Sequence, residues 1–240
     1  HTRRTLADLG IRFDQVDHIL VTHFDRDHFS TGWQNAKLDR ITIHAHAEHT
    51  HAAARAGIRP DRLNLFDRPF SLWDRAEVTF ARLAHDNLGV TAFRIETRCS
   101  SIGFATDLGR ATDELTNALH GVGTLAIESN YCPKLQIESN RPEFLKRRIM
   151  GGSGHLSNQQ SAEAVRAISP AGPVVLLHLS RQCNTPELAR EAHTGSQCQI
   201  ITTDAFQPTD WIRIAPRFAD PLPEAVPAQP TLFAIDGDRA

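Results

Sequence analysis

Metal-capable side chains are concentrated near the start of the chain, in the segment Thr22-His-Phe-Asp-Arg-Asp-His28. This segment directly follows the short apolar run 17–21, which predicts a strand that ends in a polar loop. In extended backbone, His23, Asp25 and Asp27 would project to one side and the final histidine to the other. One short loop can therefore offer ligands to two neighbouring metal ions.

Three further predicted strands end in the same way. They cover residues 77–83, 100–105 and 173–177, and they are followed by His85, Asp107 and His178, respectively. Strand ends are rigid, so side chains on the loops that follow them can be positioned precisely. Two ions about 3.5–4 Å apart can share a hydroxide and stabilise both sides of a displacement at phosphorus. The spacing therefore predicts a hydrolytic metal site where several strands end.

The predicted strands alternate with predicted helices, which indicates an α/β fold. The helices are predicted at residues 3–9, 47–56, 111–120, 141–150, 157–168 and 185–193, and a further one begins within 29–35. Ser157 and Gln160 form a plausible capping box, and Pro186 suits the first turn of a helix.

The length of 240 residues fits one large domain, predicted over 1–215, and a Pro-, Ala- and Asp-rich tail is predicted over 216–240. A formal net charge of −2 argues against a basic nucleic-acid coat protein, so any nucleic-acid contact would use a local patch. No apolar run of membrane-spanning length and no export signal is seen. We therefore expect a cytoplasmic protein that does not bind membranes, with reduced cysteines.

The segment Thr22–His28 resembles the THxHxDH signature of the metallo-β-lactamase superfamily. Further segments are similar to the YycJ/WalJ-type exonuclease branch: Ala105-Thr-Asp-Leu-Gly109, Glu128-Ser-Asn130, Gly154-His-Leu-Ser-Asn158, Leu177-His-Leu-Ser180 and Asn184-Thr-Pro-Glu187. The resemblance covers about residues 3–205. It implies an α/β (α+β) αββα sandwich, with two β-sheets face to face and helices outside. It also implies that the N-terminal β-hairpins of that fold have no counterpart before His1.

The resemblance implies two metal sites. The first takes His23, Asp25 and His85, the second takes Asp27, His28 and His178, and Asp107 bridges the two ions. Asp27 would also orient the attacking water.

Two positions depart from the family pattern. Asp25 stands where the signature has a histidine, and its oxygen ligand favours Mn²⁺ or Fe²⁺ over Zn²⁺, although all three ions remain open. Tyr131 and Cys132 stand where the branch has His and Asp.

Other polar clusters have two interpretations each. His155 precedes a predicted helix, where it could contact a substrate phosphate or donate a proton, or be an ordinary loop residue. The run Lys146-Arg-Arg148 is either a nucleic-acid patch or a solvated helix face. The histidines between His44 and His51 have no matching Cys or Asp partner, so we do not expect them to bind metal.

The sequence thus predicts a dinuclear metal-dependent phosphodiesterase that cleaves DNA or RNA. The branch resemblance implies a DNA exonuclease acting 5′ to 3′. Two alternatives remain open: a small-molecule hydrolase of the cyclic phosphodiesterase, lactonase or thioesterase type, and a non-catalytic member that binds metal. The oligomeric state is not predicted.

Overall fold

The computed structural model describes residues 2–25, 28–29, 33, 40–85 and 88–215. Within these ranges, no helix is long and apolar enough to cross a membrane. The predicted tail 216–240, the residue Asp27 and most of the helix predicted from 29–35 lie outside the described residues.

A small parallel sheet opens the fold. Its strands are β1 (His18–Leu20), β2 (Thr42–His46) and β3 (Leu63–Phe66), in that spatial order. Helix α1 (Thr2–Asp8) precedes the sheet, and helix α2 (Thr50–Arg55) connects β2 to β3. Single 3-10 turns occupy Phe13–Gln15, Ala47–His49 and Pro60–Arg62. The helix predicted over 47–56 is therefore split, because its first turn adopts the tighter 3-10 geometry.

A second sheet of seven strands follows. It contains β4 (Phe70–Leu72), β5 (Ala76–Leu83), β6 (Val90–Glu96), β7 (Ser101–Ala105), β8 (Thr124–Glu128), β9 (Val174–Leu177) and β10 (Ile200–Thr202), ordered β10-β9-β8-β7-β6-β5-β4. Strands β4 to β7 are antiparallel, whereas β7 to β10 are parallel. The connecting helices are α3 (Asp113–Leu119), α4 (Pro133–Glu138), α5 (Glu143–Met150), α6 (Asn158–Ile168) and α7 (Pro186–Ala192).

The alternation of apolar residues along β5 shows how the layers pack. Ala76 and Val78 join a buried cluster that also contains Phe66 of the small sheet, so this face lies between the two sheets. Ala81 and Leu83 point to the opposite face and join the cluster that contains helix residues of α3, α6 and α7. This arrangement confirms the predicted αββα sandwich.

Local signals at the helix ends account for several boundaries. Ser157 and Gln160 form the predicted capping box of α6, and Pro186 starts α7 after the cap residue Thr185. Helix α5 begins at Glu143 rather than at residue 141, because Pro142 occupies its N-cap with extended backbone. Helix α4 was not predicted; Pro133 occupies its first turn.

Candidate metal centre

The carboxyl ends of several strands meet at one edge of the large sheet. Strands β7, β8 and β9 are parallel neighbours, and β5 runs in the same direction because β6 is antiparallel to both β5 and β7. The loop after β1 joins this edge through a backbone hydrogen bond of 3.0 Å from Thr91 N–H to the Thr22 carbonyl. Loops from both sheets therefore converge at the same place.

The predicted site residues are brought together there. Three sets have ligand atoms that lie within 4.8 Å of one another: His23 with Asp25 and His85, His23 with His28 and Asp107, and Asp107 with Glu128, His155 and His178. Shared members join the sets into one continuous cluster. Of the predicted ligands, Asp27 lies outside the described residues, and all the others belong to this cluster.

Asp107 lies at the centre of the cluster. Its Oδ2 is 3.0 Å from His28 Nε2 and accepts a hydrogen bond of 2.9 Å from Thr106 Oγ1, and its Oδ1 is 3.4 Å from His178 Nδ1. Burial alone would raise the pKa of Asp107, but the hydrogen bond from His28 and the nearby histidine charges outweigh it and lower the pKa. The group is therefore a carboxylate at neutral pH.

The loop that carries His28 is not extended, contrary to the alternation argued from its sequence. The N–H groups of His28 and Phe29 both donate to the Asp25 carbonyl, at 2.9 and 2.8 Å, so the backbone turns after Asp25. The turn brings the rings of His23 and His28 to a centroid separation of 4.2 Å. His28 is consequently directed towards Asp107 by this turn, and not by the alternation of side chains along a strand.

Glu128 also belongs to the cluster, although its motif in the sequence did not indicate a role in metal binding or catalysis. It is fully buried at the end of β8, and its Oε1 accepts hydrogen bonds of 2.8 Å from His155 Nδ1 and His178 Nδ1. Its Oε2 accepts from the N–H groups of Leu108 and Leu156, at 2.7 and 3.2 Å. A carboxylate has about four lone-pair sites, so these bonds leave none for an ion.

Glu128 therefore orients the rings of His155 and His178 through hydrogen bonds instead of binding a metal ion itself. Burial alone would raise its pKa, but the hydrogen bonds from His155 and His178 outweigh it and lower the pKa. The same strand-end rule that identified Asp107 and His178 would have found it, because Glu128 is the last residue of a neighbouring strand.

The hydrogen bonds around the imidazoles test whether the cluster fits a metal ion. His155 and His178 donate Nδ1–H to Glu128, and His85 donates Nδ1–H to the Gly154 carbonyl at 3.2 Å. A neutral imidazole that donates through one nitrogen has a lone pair on the other. Each ring therefore offers Nε2, which is the arrangement found for metal-binding histidines whose second nitrogen is anchored. The donor set fits divalent ions of the Zn²⁺ to Mn²⁺ range.

Backbone strain accompanies two of the central residues. Asp107 and His178 both have a φ of 57°, in the left-handed region that non-glycine residues rarely adopt. Asn130 Nδ2 donates to the His178 carbonyl at 2.7 Å, and Ser180 N–H donates to the Asn130 carbonyl at 2.8 Å. These bonds hold the strained loop in place, as is common where function fixes an unfavourable backbone.

A buried amide network connects the remaining family-like motifs. Asn158 and Asn184 exchange hydrogen bonds of 2.8 and 2.9 Å through their side-chain amides. Ser129 Oγ donates to Asn158 Oδ1 at 2.7 Å, and Asn184 Nδ2 donates to the carbonyls of Ser129 and Asn130. The asparagines thus position the loops that carry Glu128, His155 and His178, which explains these motifs without any direct role in chemistry.

The approach of two loops behind His155 depends on Gly109. A Cβ at this position would lie 2.4 Å from the Gly152 carbonyl oxygen and 2.6 Å from Ser153 Cα. Only glycine allows the loop after Asp107 to lie this close to the loop that leads to His155.

The cluster opens into a cavity of about 870 Å³. His23, Asp25, His85, Asp107, His155 and His178 line one part of it. The other charged side chains of its lining, within the part of the chain that the structure describes, are Arg141, Arg148 and Arg181. Of the predicted basic run, only Arg148 lines the cavity, and Lys146 Nζ instead donates to the Ile137 carbonyl at 2.6 Å.

The histidines of β2 and the following turn do not join this centre. His44, His46 and His49 are buried, and none belongs to a metal-capable set within the described ranges. Burial lowers the pKa of His44 and of His49 to about 4, so both are neutral side chains of the packed interior.

Comparison with known proteins assigns the family. Residues 2–179 match the family model described as the beta-lactamase superfamily domain. The chain belongs to the metallo-β-lactamase superfamily. Among curated members, exodeoxyribonuclease YycJ of Bacillus anthracis is 25% identical over 218 residues, which cover 85% of this chain and 82% of YycJ. Exodeoxyribonuclease WalJ of Streptococcus pneumoniae serotype 2 is 24% identical over 228 residues, covering 91% and 84%.

A solved structure shows the same metallo-β-lactamase fold. The short form of human tRNase Z matches with a TM-score of 0.59 and 15% identity, covering 86% of this chain and 83% of that protein. The metallo-β-lactamase fold implies divalent metal binding and a metal-dependent hydrolase. The His/Asp cluster is where the described residues offer the ligands for that chemistry.

Proposed function

We propose that this metallo-β-lactamase protein hydrolyses phosphodiester bonds in nucleic acid, as a DNA exonuclease acting 5′ to 3′ with two divalent metal ions. The position of Asp107 supports the proposal most strongly. It lies between His28 on one side and His178 on the other, so one carboxylate can serve both halves of a dinuclear site. The exodeoxyribonuclease relatives support the choice of DNA.

The ligands divide into two sets around Asp107. One ion would be held by His23, Asp25 and His85, whose ligand atoms already lie within 4.8 Å of one another. The other ion would be held by Asp27, His28 and His178. When bound, the ions supply an activated water near neutral pH and neutralise the charge of the phosphate.

The protein groups have separate tasks in this hydrolysis. Asp27 is proposed to orient the attacking water. Oxygen from water bonds to phosphorus, the bond from phosphorus to the leaving oxygen breaks, and that oxygen takes up a proton. His155 is proposed to contact the phosphate through Nε2 or, in its doubly protonated form, to donate this proton from Nε2, because Glu128 holds its Nδ1–H and the ring lines the cavity.

The ligand proposed at position 25 affects the preference for the metal. An aspartate in place of a histidine adds a charged oxygen ligand, which favours Mn²⁺ or Fe²⁺ over Zn²⁺. Metal analysis of protein purified without added metal tests this preference. Stoichiometric Zn²⁺ together with full activity would contradict it.

Cleavage of bis-p-nitrophenyl phosphate tests the hydrolase part of the proposal. We expect metal-dependent turnover that is abolished in Asp107→Ala and in His178→Ala. His51→Ala is a matched control, since His51 is an exposed histidine outside the cluster, and this variant should retain activity. Oligonucleotides labelled at the 5′ or the 3′ end test the polarity, because a 5′ to 3′ exonuclease releases the 5′ label first as a small product.

Substrate binding measured over a range of salt concentrations separates the alternatives. A small-molecule hydrolase would bind its substrate with little dependence on salt, whereas a nuclease loses affinity steeply because phosphate contacts release counterions. A non-catalytic member would bind metal in the same site and cleave neither substrate.

A further inference from the structure

The charges around the cavity are separated into two groups. The acidic residues of its lining, Asp25 and Asp107, both belong to the proposed metal site. Among the described residues, the remaining formal charges of the lining are the arginines Arg141, Arg148 and Arg181. We call these three arginines the cationic wall. A phosphate bound at the proposed metal site would lie beside this wall, although metal binding itself does not need positively charged side chains there.

Arg141 is fixed in place by neutral partners. Its guanidinium donates to Gln136 Oε1 at 3.0 Å, to Gln182 Oε1 at 3.0 Å and to Ser180 Oγ at 3.2 Å. Within the described residues, no carboxylate forms an ion pair with it. A guanidinium carries five N–H donors, so two of them remain for a ligand after these three bonds are made. The result is a preorganised positive charge whose partners among the described residues are all neutral.

Arg181 lies on the loop that follows β9, three residues after His178. That separation spans at most about 10 Å of extended backbone, which is within reach of the next phosphate along a nucleic-acid strand. Its guanidinium carbon lies 4.6 Å from the ring centroid of Phe206. Phe206 is 62% exposed although it is a large apolar side chain. An exposed aromatic ring next to an arginine is the combination that single-stranded nucleic acid uses for base stacking and phosphate contact.

We infer that Arg141 and Arg181 bind a second phosphate, adjacent to the one that is cleaved, and that Phe206 supports the neighbouring base. The inference rests on the proposed function and narrows it: the substrate is a single strand with at least two successive phosphates, and not an isolated diester. Arg141 is already anchored and provides directional contacts, whereas the exposed Arg181 provides charge at the cavity mouth.

The test compares a substrate with one phosphate and a substrate with several. Arg181→Gln and Arg141→Lys should each raise KM for a short oligothymidylate about fivefold to tenfold, as expected for the net loss of one ordinary hydrogen bond. Both variants should leave kcat/KM for bis-p-nitrophenyl phosphate unchanged. Arg98→Gln is the matched control, because Arg98 is an exposed arginine in the turn between β6 and β7, at the opposite end of the sheet from Asp107.

Binding of a fluorescent oligothymidylate, followed by anisotropy over a range of salt concentrations, gives a second readout that does not require turnover. Loss of the Arg181 charge in Arg181→Gln should reduce the slope of log K against log salt by about 0.7, whereas Arg141→Lys keeps its charge and should weaken binding without changing the slope. Thermal unfolding separates a folding defect of Arg141→Lys from a binding defect, and Arg181→Gln has no buried contact to lose.

The outcomes distinguish the inference from the proposed function. If neither substrate is hydrolysed in the presence of metal, the proposed function is wrong. Hydrolysis of both substrates with equal losses in the variants, or with no loss of oligothymidylate binding, overturns the second phosphate site while the hydrolase remains. Selective loss on oligothymidylate supports both.

Discussion

Replacement of Glu128 by glutamine tests how the site is supported. The native carboxylate accepts from His155, His178, Leu108 and Leu156, and it has no donor of its own when ionised. A glutamine amide has one oxygen and one NH₂ group. If the amide oxygen faces the two histidines, the NH₂ group faces the two backbone N–H groups, which are also donors. In the reverse orientation, the NH₂ group faces the two ring N–H groups instead.

The magnitude follows from this count. Either orientation leaves two of the four buried donors without an acceptor, at about 1–3 kcal/mol each, and the neutral amide is less costly to bury than a charge. We therefore expect Glu128→Gln to lower the free energy of unfolding of the metal-free protein by about 2–4 kcal/mol. For a domain of this size the melting temperature should fall by about 6–12 °C.

Metal affinity gives the decisive measurement. His178, a proposed metal ligand, would no longer be held with Nε2 free of a proton, so the affinity for Mn²⁺ or Zn²⁺ should fall about 10–100-fold. Competition with a chromophoric chelator measures this change. Ser101→Ala is the control: Ser101 Oγ is buried and accepts from Gly123 N–H at 2.9 Å, at the other end of the sheet. It should reduce stability and leave metal affinity unchanged. A Glu128→Gln protein that binds metal like the wild type would refute the role assigned to Glu128.

Three further predictions concern the interior that supports the site. Burial lowers the pKa to about 4 for His44, His49 and His193. Because the folded pKa lies below the unfolded value of about 6.5, stability is complete above pH 6.5 and is lost as the pH falls towards 4, by about 2 kcal/mol per histidine at pH 5. A urea midpoint that stays constant from pH 7 to pH 5 would contradict this. Gly109→Ala should displace the loop that leads to His155, with a cost of about 1–3 kcal/mol and a loss of phosphodiesterase activity, so unchanged melting and turnover would show that the loops can separate freely. Asn184→Ala should lower the free energy of unfolding by about 2–4 kcal/mol, since it leaves buried polar groups without partners, and chemical denaturation measures the change.

Much of the fold, and the position of several candidate site residues at strand ends, was predictable from local patterns. Apolar runs of strand length end one or two residues before His85, Asp107 and His178, and those strands are present in the structure. The capping box at Ser157 also placed the start of α6 correctly. The strands depend on the alternation of neighbouring side chains, and the helix start depends on hydrogen bonds within one turn. Both involve residues that are close in sequence, so the sequence alone determines them.

The partners of these side chains were decided only by the tertiary structure. The turn after Asp25 directs His28 to Asp107, and Glu128 joins two histidines that are 27 and 50 positions away from it. The cationic wall likewise combines Arg141 and Arg181, 40 positions apart, with only Arg148 of the basic run that the sequence displays. A local pattern specifies which face of a strand or helix a residue occupies. Which distant residue it meets depends on strand order and loop approach, and those are fixed by the packing of the whole chain.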